Sequence, residues 1–308
     1  MFSAIHKYLP HVRIVARKGE AADYLERLSI DYTTAKLYPD LVIVMDYHYI
    51  RREFPIWGIR AVQVFHGIGC KDFIDRKDNR DYLCLVPGQN LKKRLEKQGV
   101  PAIRVVGYPK TDCFFDQTLD RESILHSLSL DLSKKTILYS PTWGSLSSTP
   151  IAADSIKKLS SDYNVIVKLH DLSEPKWLDL YRRIDTIRFV EESNVTSYMF
   201  VADLMISDFS STIFEFAQLF RPIITILPDP YRARECAHDF SWWEITRMIR
   251  EIDELKPAAD KLLEGDWMPD TRYREVVNSI FSYNDGKSAM RAAAAIREYE
   301  KEGTIWKR

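Results

Sequence analysis

The sequence predicts an α/β protein made of two halves, each holding a parallel β-sheet covered by helices. Three observations predict it. Short β-branched runs, apolar from end to end, recur along the chain with amphipathic stretches between them. Strands of that kind belong to sheets buried on both faces. The alternation is laid down once before residue 132 and again after it. The length of 308 residues accommodates about two domains at roughly 100–200 residues each.

In the first half, Val12–Ala16 reads as a strand and Ala21–Leu28 as a helix. Leu41–Met45 and Ala61–Phe65 are further strands, the second running into His66-Gly67. Tyr82–Val86 follows, then a helix over Leu91–Gln98 stopped by Gly99. Ile103–Val106 closes the half at the turn Gly107-Tyr108-Pro109. The boundary falls at Asp131-Leu132-Ser133-Lys134.

The second half repeats the logic. Thr136–Tyr139 is a strand followed by the loop Ser140-Pro141-Thr142-Trp143. Ser145–Thr149, rich in hydroxyl residues, reads as a mobile segment. Asn164–Leu169 is a strand ending in His170-Asp171. Leu204–Ser207 leads through Asp208-Phe209-Ser210-Ser211 into a helix from Thr212 to about Phe220. Pro222–Leu227 is a strand again, and the tail from about Asp270 is mostly helical. Two Rossmann-like halves around a cleft follow, and in open α/β sheets ligands sit beyond the carboxyl ends of the strands. His66 and His170 fall at such ends, one in each half.

Composition narrows the function. Lys plus Arg equals Asp plus Glu at 44 each, which argues against a nucleic-acid partner held by bulk charge. No apolar run reaches the ~18–20 residues of a membrane span, and the first twenty residues lack a signal-peptide core. Cys70, Cys84, Cys113 and Cys236 form no CxxC pair. Neither a disulfide framework nor a zinc site is expected, and a reducing cytoplasm fits.

Several segments carry chemistry, each with a plainer structural alternative. In Ile206–Ala217 an apolar strand runs into three hydroxyl residues and a helix. Thr212 and Glu215 have capping-box spacing. A helix start with amide N–H groups and hydroxyls suits a phosphate. Simple capping by Ser210, Ser211 and Thr212 explains the same pattern. His170, leaving a buried strand, suits a phosphate contact or proton transfer; a satisfied turn histidine is the alternative, and Lys168 in that strand can face either way. His66-Gly67-Ile68-Gly69 and nearby Lys71 suit a substrate loop or an ordinary βα turn. Thr142 can reach a nucleotide phosphate and Trp143 can wall a pocket, or the loop is a plain turn. Tyr231–Arg250 mixes arginines with tryptophans, as on a lipid-facing surface or a half-buried helix.

Taken in order, these segments resemble the CDP-glycerol glycerophosphotransferase family, which includes teichoic-acid primases and polymerases. His66-Gly67 is similar to the family's HG loop, and Gly107–Asp112 to its G-x-P-R-x-D turn. Ile137–Trp143 resembles its ILY-[AS]-P-T-[WF] element, and VIVKLH ending at His170 its K-x-H-P strand. ISDFSSTIFEFA resembles its T-D-Y-S-S box, with Arg221-Pro222-Ile223 after it and Asp285-Gly286-Lys287-Ser288 near the end. The chain departs from the pattern at Ile68-Gly69-Cys70 after the HG pair, at Asp171 in place of proline, at Ser207 in place of threonine and at Glu215 in place of aspartate.

The resemblance implies a GT-B-type architecture of two Rossmann-like domains with parallel sheets facing a cleft. Residues 1–132 would form the acceptor-side domain, 133–285 the CDP-donor domain, and 286–308 a terminal helix crossing back to the first. It implies transfer of a polyol phosphate, glycerol phosphate foremost, from a CDP-polyol to a hydroxyl of a cell-wall or capsular polymer or its lipid-linked precursor, with release of CMP. His66 is then the candidate general base and His170 the group at the donor phosphates. Ser210, Ser211, Thr212 and Thr142 would bind the donor, Glu215 would reach a ribose hydroxyl, and Gly67 and Lys71 would line the acceptor loop. The expectation includes no metal and no cofactor beyond the CDP-polyol substrate. It places the protein in the cytoplasm, with peripheral contact at the inner membrane face. A UDP-sugar-dependent GT-B glycosyltransferase or epimerase, and a non-catalytic polymer-binding subunit, are the alternatives.

Overall fold

The computed structural model describes residues 1–15, 20–27, 29–33, 41–44, 60–65, 82–192, 194–227, 244–265 and 267–301. His66, Gly67, Lys71 and 228–243 lie outside the described residues.

In chain order the elements begin with α1 (Phe2–His6), β1 (Ile14–Val15), α2 (Glu20–Arg27), β2 (Tyr32–Thr33), β3 (Leu41–Val44), β4 (Arg60–Val64), β5 (Tyr82–Val86), α3 (Gln89–Lys97) and β6 (Ala102–Val105). There follow α4 (Arg121–Ser127), β7 (Thr136–Tyr139), α5 (Thr149–Leu159), β8 (Asn164–Val167), α6 (Pro175–Arg182), β9 (Arg188–Phe189), α7 (Thr196–Val201) and β10 (Leu204–Ser207). The rest are α8 (Thr212–Ala217), β11 (Ile223–Ile226), β12 (Arg247–Ile249), α9 (Leu255–Glu264), α10 (Thr271–Ile280) and α11 (Ser288–Lys301). The chain forms two compact units. The first draws its described residues from 1–66, 75–112 and 280–308, and the second from 113–279.

In the first unit, β3-β4-β5-β6 form a wholly parallel sheet, and β1 pairs with β2 in parallel. The runs predicted apolar are buried here: Val62, Val64, Leu83 and Leu85 share one cluster with Ile5, Leu9 and the face of α11 made by Ala289, Ala292, Ala293 and Ile296. Alanines on that face let the helix axis come close to its neighbours. Helix α3 stops as expected at Gly99, whose φ of +78° is a left-handed value that glycine adopts without strain. The Gly99 and Val100 amides bond back to the carbonyls of Glu96 and Leu95.

Two short motifs near the ends of this unit turn out to be one structural joint. The buried Asp112 carboxylate accepts the Ser288 amide at 2.9 Å and the Ala289 amide at 2.7 Å, so it caps α11. Gly107 has φ +89°, and a Cβ there would run into the Ser288 side chain. At the far end of α11, Arg60 donates to the carbonyls of Tyr299 and Glu300, where a helix favours a cation.

In the second unit the strand order is β12-β11-β10-β7-β8-β9, again parallel throughout. Its core runs through Ile137, Tyr139, Val165, Val167, Leu204, Ile206, Ile224 and Ile226, packed against Ile156 and Leu159 of α5 and Ala259 of α9.

The expected boundaries at 132/133 and 285/286 differ from this division. Residues 113–132 go with the second unit because α4 packs on α7, Arg121 pairs with Asp203 at 2.9 Å, and the Asn164 side chain bonds both backbone groups of Asp131. Past Ser279 the chain already belongs to the first unit, where Ser282 donates to Pro87 O at 3.0 Å and Phe281 packs against Tyr108. The part of Tyr231–Arg250 that is described holds the strand β12 rather than a helix. Among the described residues no helix is long and apolar enough to cross a membrane.

Asp112→Ala leaves two buried amides without an acceptor, so unfolding free energy should fall by about 1–3 kcal/mol. Gly107→Ala should destabilise as well, through its φ and the collision with Ser288. Urea denaturation followed by circular dichroism measures both; an unmoved midpoint in Asp112→Ala removes the capping role.

Candidate functional site

The parallel register places the carboxyl ends of β10, β7 and β8 side by side at one edge of the second unit's sheet. Ile206 stands opposite Tyr139, and Tyr139 opposite Val167. Beyond that edge lie three connections: 140–148, 168–173 and 208–211. Thr142, His170, Ser210 and Ser211 sit on them, and Thr212 opens the helix that follows.

Two of them, 140–148 and 208–211, are tied together by Asp208, a residue with no exposed surface. One carboxylate oxygen accepts the Thr142 amide at 2.7 Å. The other accepts both the amide and the hydroxyl of Ser148, each at 2.7 Å. Burial pushes the Asp208 carboxyl up to about 6, and the amides of Ser148, Thr142 and Phe209 oppose that rise. The Tyr139 and Ser148 hydroxyls are 2.9 Å apart. Tyr139 stacks on Tyr181 with ring centres 5.8 Å apart, and the Tyr181 hydroxyl donates to Thr149 O at 3.1 Å.

This network corrects the expectation of a mobile Ser145–Thr149 segment. Ser147, Ser148 and Thr149 are buried, and their hydroxyls face inward. Ser147 and Thr149 oxygens approach to 2.6 Å, and the Thr149 amide donates to Ser147 Oγ at 3.1 Å. Hydroxyl-rich composition here serves a polar interior and the start of α5.

His170 is half-buried. Its Nδ1 accepts the Leu172 amide at 3.1 Å, so the proton of the neutral ring sits on Nε2. The ring lies 5.9 Å from that of Trp143, centre to centre, which joins the β7 and β8 connections. Lys168 is buried, and its ammonium donates to Leu169 O at 2.6 Å and to Asp171 at 2.7 Å. Asp171, where the resembled pattern has proline, thus neutralises a lysine two residues before His170.

Ser210 and Thr212 hydroxyls are 2.8 Å apart. The capping box read from Thr212 and Glu215 does not form. Helix α8 starts at Thr212 with Ser211 at the N-cap; the Ser211 side chain caps nothing, and the Thr212 amide donates to Ser210 Oγ at 3.4 Å. Ser211 and Thr212 are half-buried, whereas Glu215 is 2% exposed and lies within the packing of α8. The structure therefore gathers Thr142, His170 and Ser210–Thr212 at one edge and keeps Glu215 in the interior. His66, Gly67 and Lys71 lie outside the described residues. Among the described residues no cluster of His, Cys, Asp or Glu could hold a metal ion.

The model of the family described as CDP-Glycerol:Poly(glycerophosphate) glycerophosphotransferase matches residues 62–298. The chain belongs to this family. Among the family's relatives, a teichoic acid poly(glycerol phosphate) polymerase of Bacillus spizizenii is 31% identical over 136 residues, covering 40% of this chain and 34% of that protein. The teichoic acid ribitol-phosphate polymerase TarK of Staphylococcus aureus is 27% identical over 292 residues, covering 82% of this chain and 55% of TarK. The chain thus spans between about a third and about half of these curated relatives' lengths. A histidine variant of the wall teichoic acid polymerase TagF, soaked with CDPG, superposes with a TM-score of 0.73 at 18% identity, covering 98% of this chain and 84% of that one. At that identity the likeness concerns the fold, which is the GT-B-type α/β fold.

Sequence reading left Asp208, Ser148, Tyr139 and Tyr181 without roles. The available signal was an aspartate directly after an apolar strand, between buried elements. Its partners are 60 and 66 residues away in the chain, and only the strand order brings them close.

A buried carboxyl whose folded value lies above the ordinary 3.8 adds stability below that value and loses it as pH rises through about 6. The unfolding free energy of wild type relative to Asp208→Asn should therefore rise on going from pH 7 to pH 4, by on the order of 3 kcal/mol if the whole shift is expressed. Urea denaturation of both proteins across that range measures it; a difference independent of pH shows that burial does not shift Asp208.

Proposed function

We propose that this protein transfers a polyol phosphate, glycerol phosphate foremost, from a CDP-polyol to a hydroxyl of a wall or capsular polymer or its lipid-linked precursor. The observation that supports this reading most directly is the gathering of Thr142, His170 and Ser210–Thr212 at one sheet edge, in a chain of the glycerophosphotransferase family. The acceptor oxygen attacks the β-phosphorus of the donor, the bond to the bridging oxygen breaks, and CMP leaves with the electron pair. The acceptor proton passes to a base.

Phosphoryl transfer of this kind needs positioning and neutralisation of charge more than covalent help. The hydroxyls of Ser210, Ser211, Thr212 and Thr142 hold the donor's phosphate oxygens. His170 meets them as a hydrogen-bond donor through Nε2–H, the tautomer that the Leu172 amide selects. His66, which follows β4 in the sequence, serves as the general base, and Gly67 and Lys71 belong to the acceptor side. The burial of Glu215 removes it from this set as a ribose contact. A lipid-linked acceptor calls for peripheral contact with the inner membrane face, which flotation with anionic liposomes tests; a protein that stays at the bottom of the gradient has no such contact.

His66→Ala and His170→Ala should each lower turnover by about 10²–10⁴-fold without unfolding the protein. His170→Gln, which keeps an N–H donor, should retain more activity than His170→Ala. CMP release from a panel of CDP-polyols, with mass spectrometry of the acceptor, is the assay. Full rates in both alanine variants would sink the assignment. A thermal shift with UDP or GDP but not CDP would redirect it to another nucleotide donor.

A further inference from the structure

Asp208 is a fully buried carboxylate beneath the donor edge that no step above uses. Its two oxygens face different parts of one segment. Oδ1 takes the Thr142 amide, and Oδ2 takes the amide and hydroxyl of Ser148. The root of that segment is already fixed, since Ser140 donates to Ile206 O at 3.0 Å and Ser207 Oγ donates to Ser140 O at 2.6 Å. Past Ser140 the strand ladder between β7 and β10 ends, and the carboxylate takes over as the tie.

The other end of the clamp is just as short. Only Phe209 separates Asp208 from Ser210, whose hydroxyl meets that of Thr212. One rigid group therefore sets where Thr142 stands relative to the Ser210–Thr212 turn. Behind it, Tyr139 and Tyr181 are stacked and buried.

We propose that Asp208 is a positioning residue for donor binding: it clamps 142–148 onto the 208–212 turn and so fixes the spacing of the hydroxyls that hold the donor phosphates. The proposal rests on reading this edge as the donor site. It assigns Asp208 no contact with the substrate. An asparagine in its place keeps one acceptor oxygen and turns an amide N–H₂ toward either the Thr142 or the Ser148 amide, where two donors meet. A buried amide left without an acceptor costs about 1–3 kcal/mol, so looseness of the segment should cost donor affinity roughly 10–100-fold.

The test titrates CDP into the full chain by thermal shift and follows amide hydrogen exchange in peptides covering 140–149. Wild type, Asp208→Asn and Ser148→Ala are compared. Asp208→Asn should raise the CDP Kd roughly 10–100-fold, and Ser148→Ala, which loses one bond of the set, by roughly 2–10-fold. Exchange should quicken at Thr142 and Ser148 in Asp208→Asn while β7 and β10 stay protected. With CDP-glycerol as donor, KM should rise in step and kcat at saturation should change less than about 3-fold, because no reacting atom is touched. A wild type that CDP does not stabilise defeats the donor-site reading, and with it the functional half of the proposal. A wild type that binds CDP, beside a folded Asp208→Asn with unchanged Kd and unchanged exchange, overturns the clamp alone. Should Asp208→Asn fail to fold, a folded Ser148→Ala matching wild type in both measurements overturns it instead.

Discussion

Parallel pairing of β10, β7 and β8 is the constraint from which the candidate site follows. Each strand is buried on both faces, so each must shed its polar groups at its ends. Parallel direction puts all three carboxyl ends on the same edge, and each connection leaving that edge carries backbone amides that the ladder no longer satisfies. Something must accept them. Here a single carboxylate does so at two points of one connection, 140–148. Desolvating that charge is costly, and the cost shows as its raised pKa. The bonds it accepts make the segment of 140–148 a fixed wall in place of a floppy loop.

The same logic explains a second pair of motifs. Gly107–Asp112 and Asp285–Ser288 are far apart in sequence and read there as two separate motifs. In the first unit they are one joint. Asp112 accepts the first amides of α11, Ser288 fills the space that a side chain at 107 would need, and Asp285 pairs with Arg291 one turn into the helix. Short polar motifs at strand and helix ends recur for this structural reason as well as for chemistry. Their order along a chain therefore tracks the fold before it tracks the substrate.

Most of the fold was legible because the strands are apolar throughout. Tyr82–Val86, Thr136–Tyr139 and Leu204–Ser207 fall where the pattern put them, since a run flanked by turn residues has few ways to extend. The unit boundary was not legible. Nothing local in 113–132 says that Arg121 will reach Asp203, or that Asn164 will bond Asp131. Helix α8 ends before Phe220, which turns to φ +53°, a conformation with no signature in a phenylalanine. Of the site, the strand-end residues His170, Thr142 and Ser210–Thr212 were visible through their place after apolar runs. Asp208 was quoted with them and given no task, because a residue's burial depends on partners that strand order alone supplies. Glu215 erred in the opposite sense. Its spacing from Thr212 looked like a cap, but the neighbouring apolar positions of α8 carry it into the interior.

The tautomer of His170 bears on how labour is divided across the proposed reaction. A histidine at a strand end is open to either role, donor or base, as long as only its position is known. The Leu172 amide settles which nitrogen carries the proton in the neutral ring. With Nδ1 engaged as an acceptor, the N–H of the neutral ring is at Nε2, and an N–H suits an anionic oxygen rather than a hydroxyl about to lose its proton. Lys168 does not compete for that oxygen as a free cation, since Asp171 and Leu169 O hold its ammonium. On the proposed reading, then, the second unit supplies hydrogen-bond donors to the leaving nucleotide. The acceptor's proton goes to a different base on that reading, a part that the resemblance gives to His66 from sequence alone.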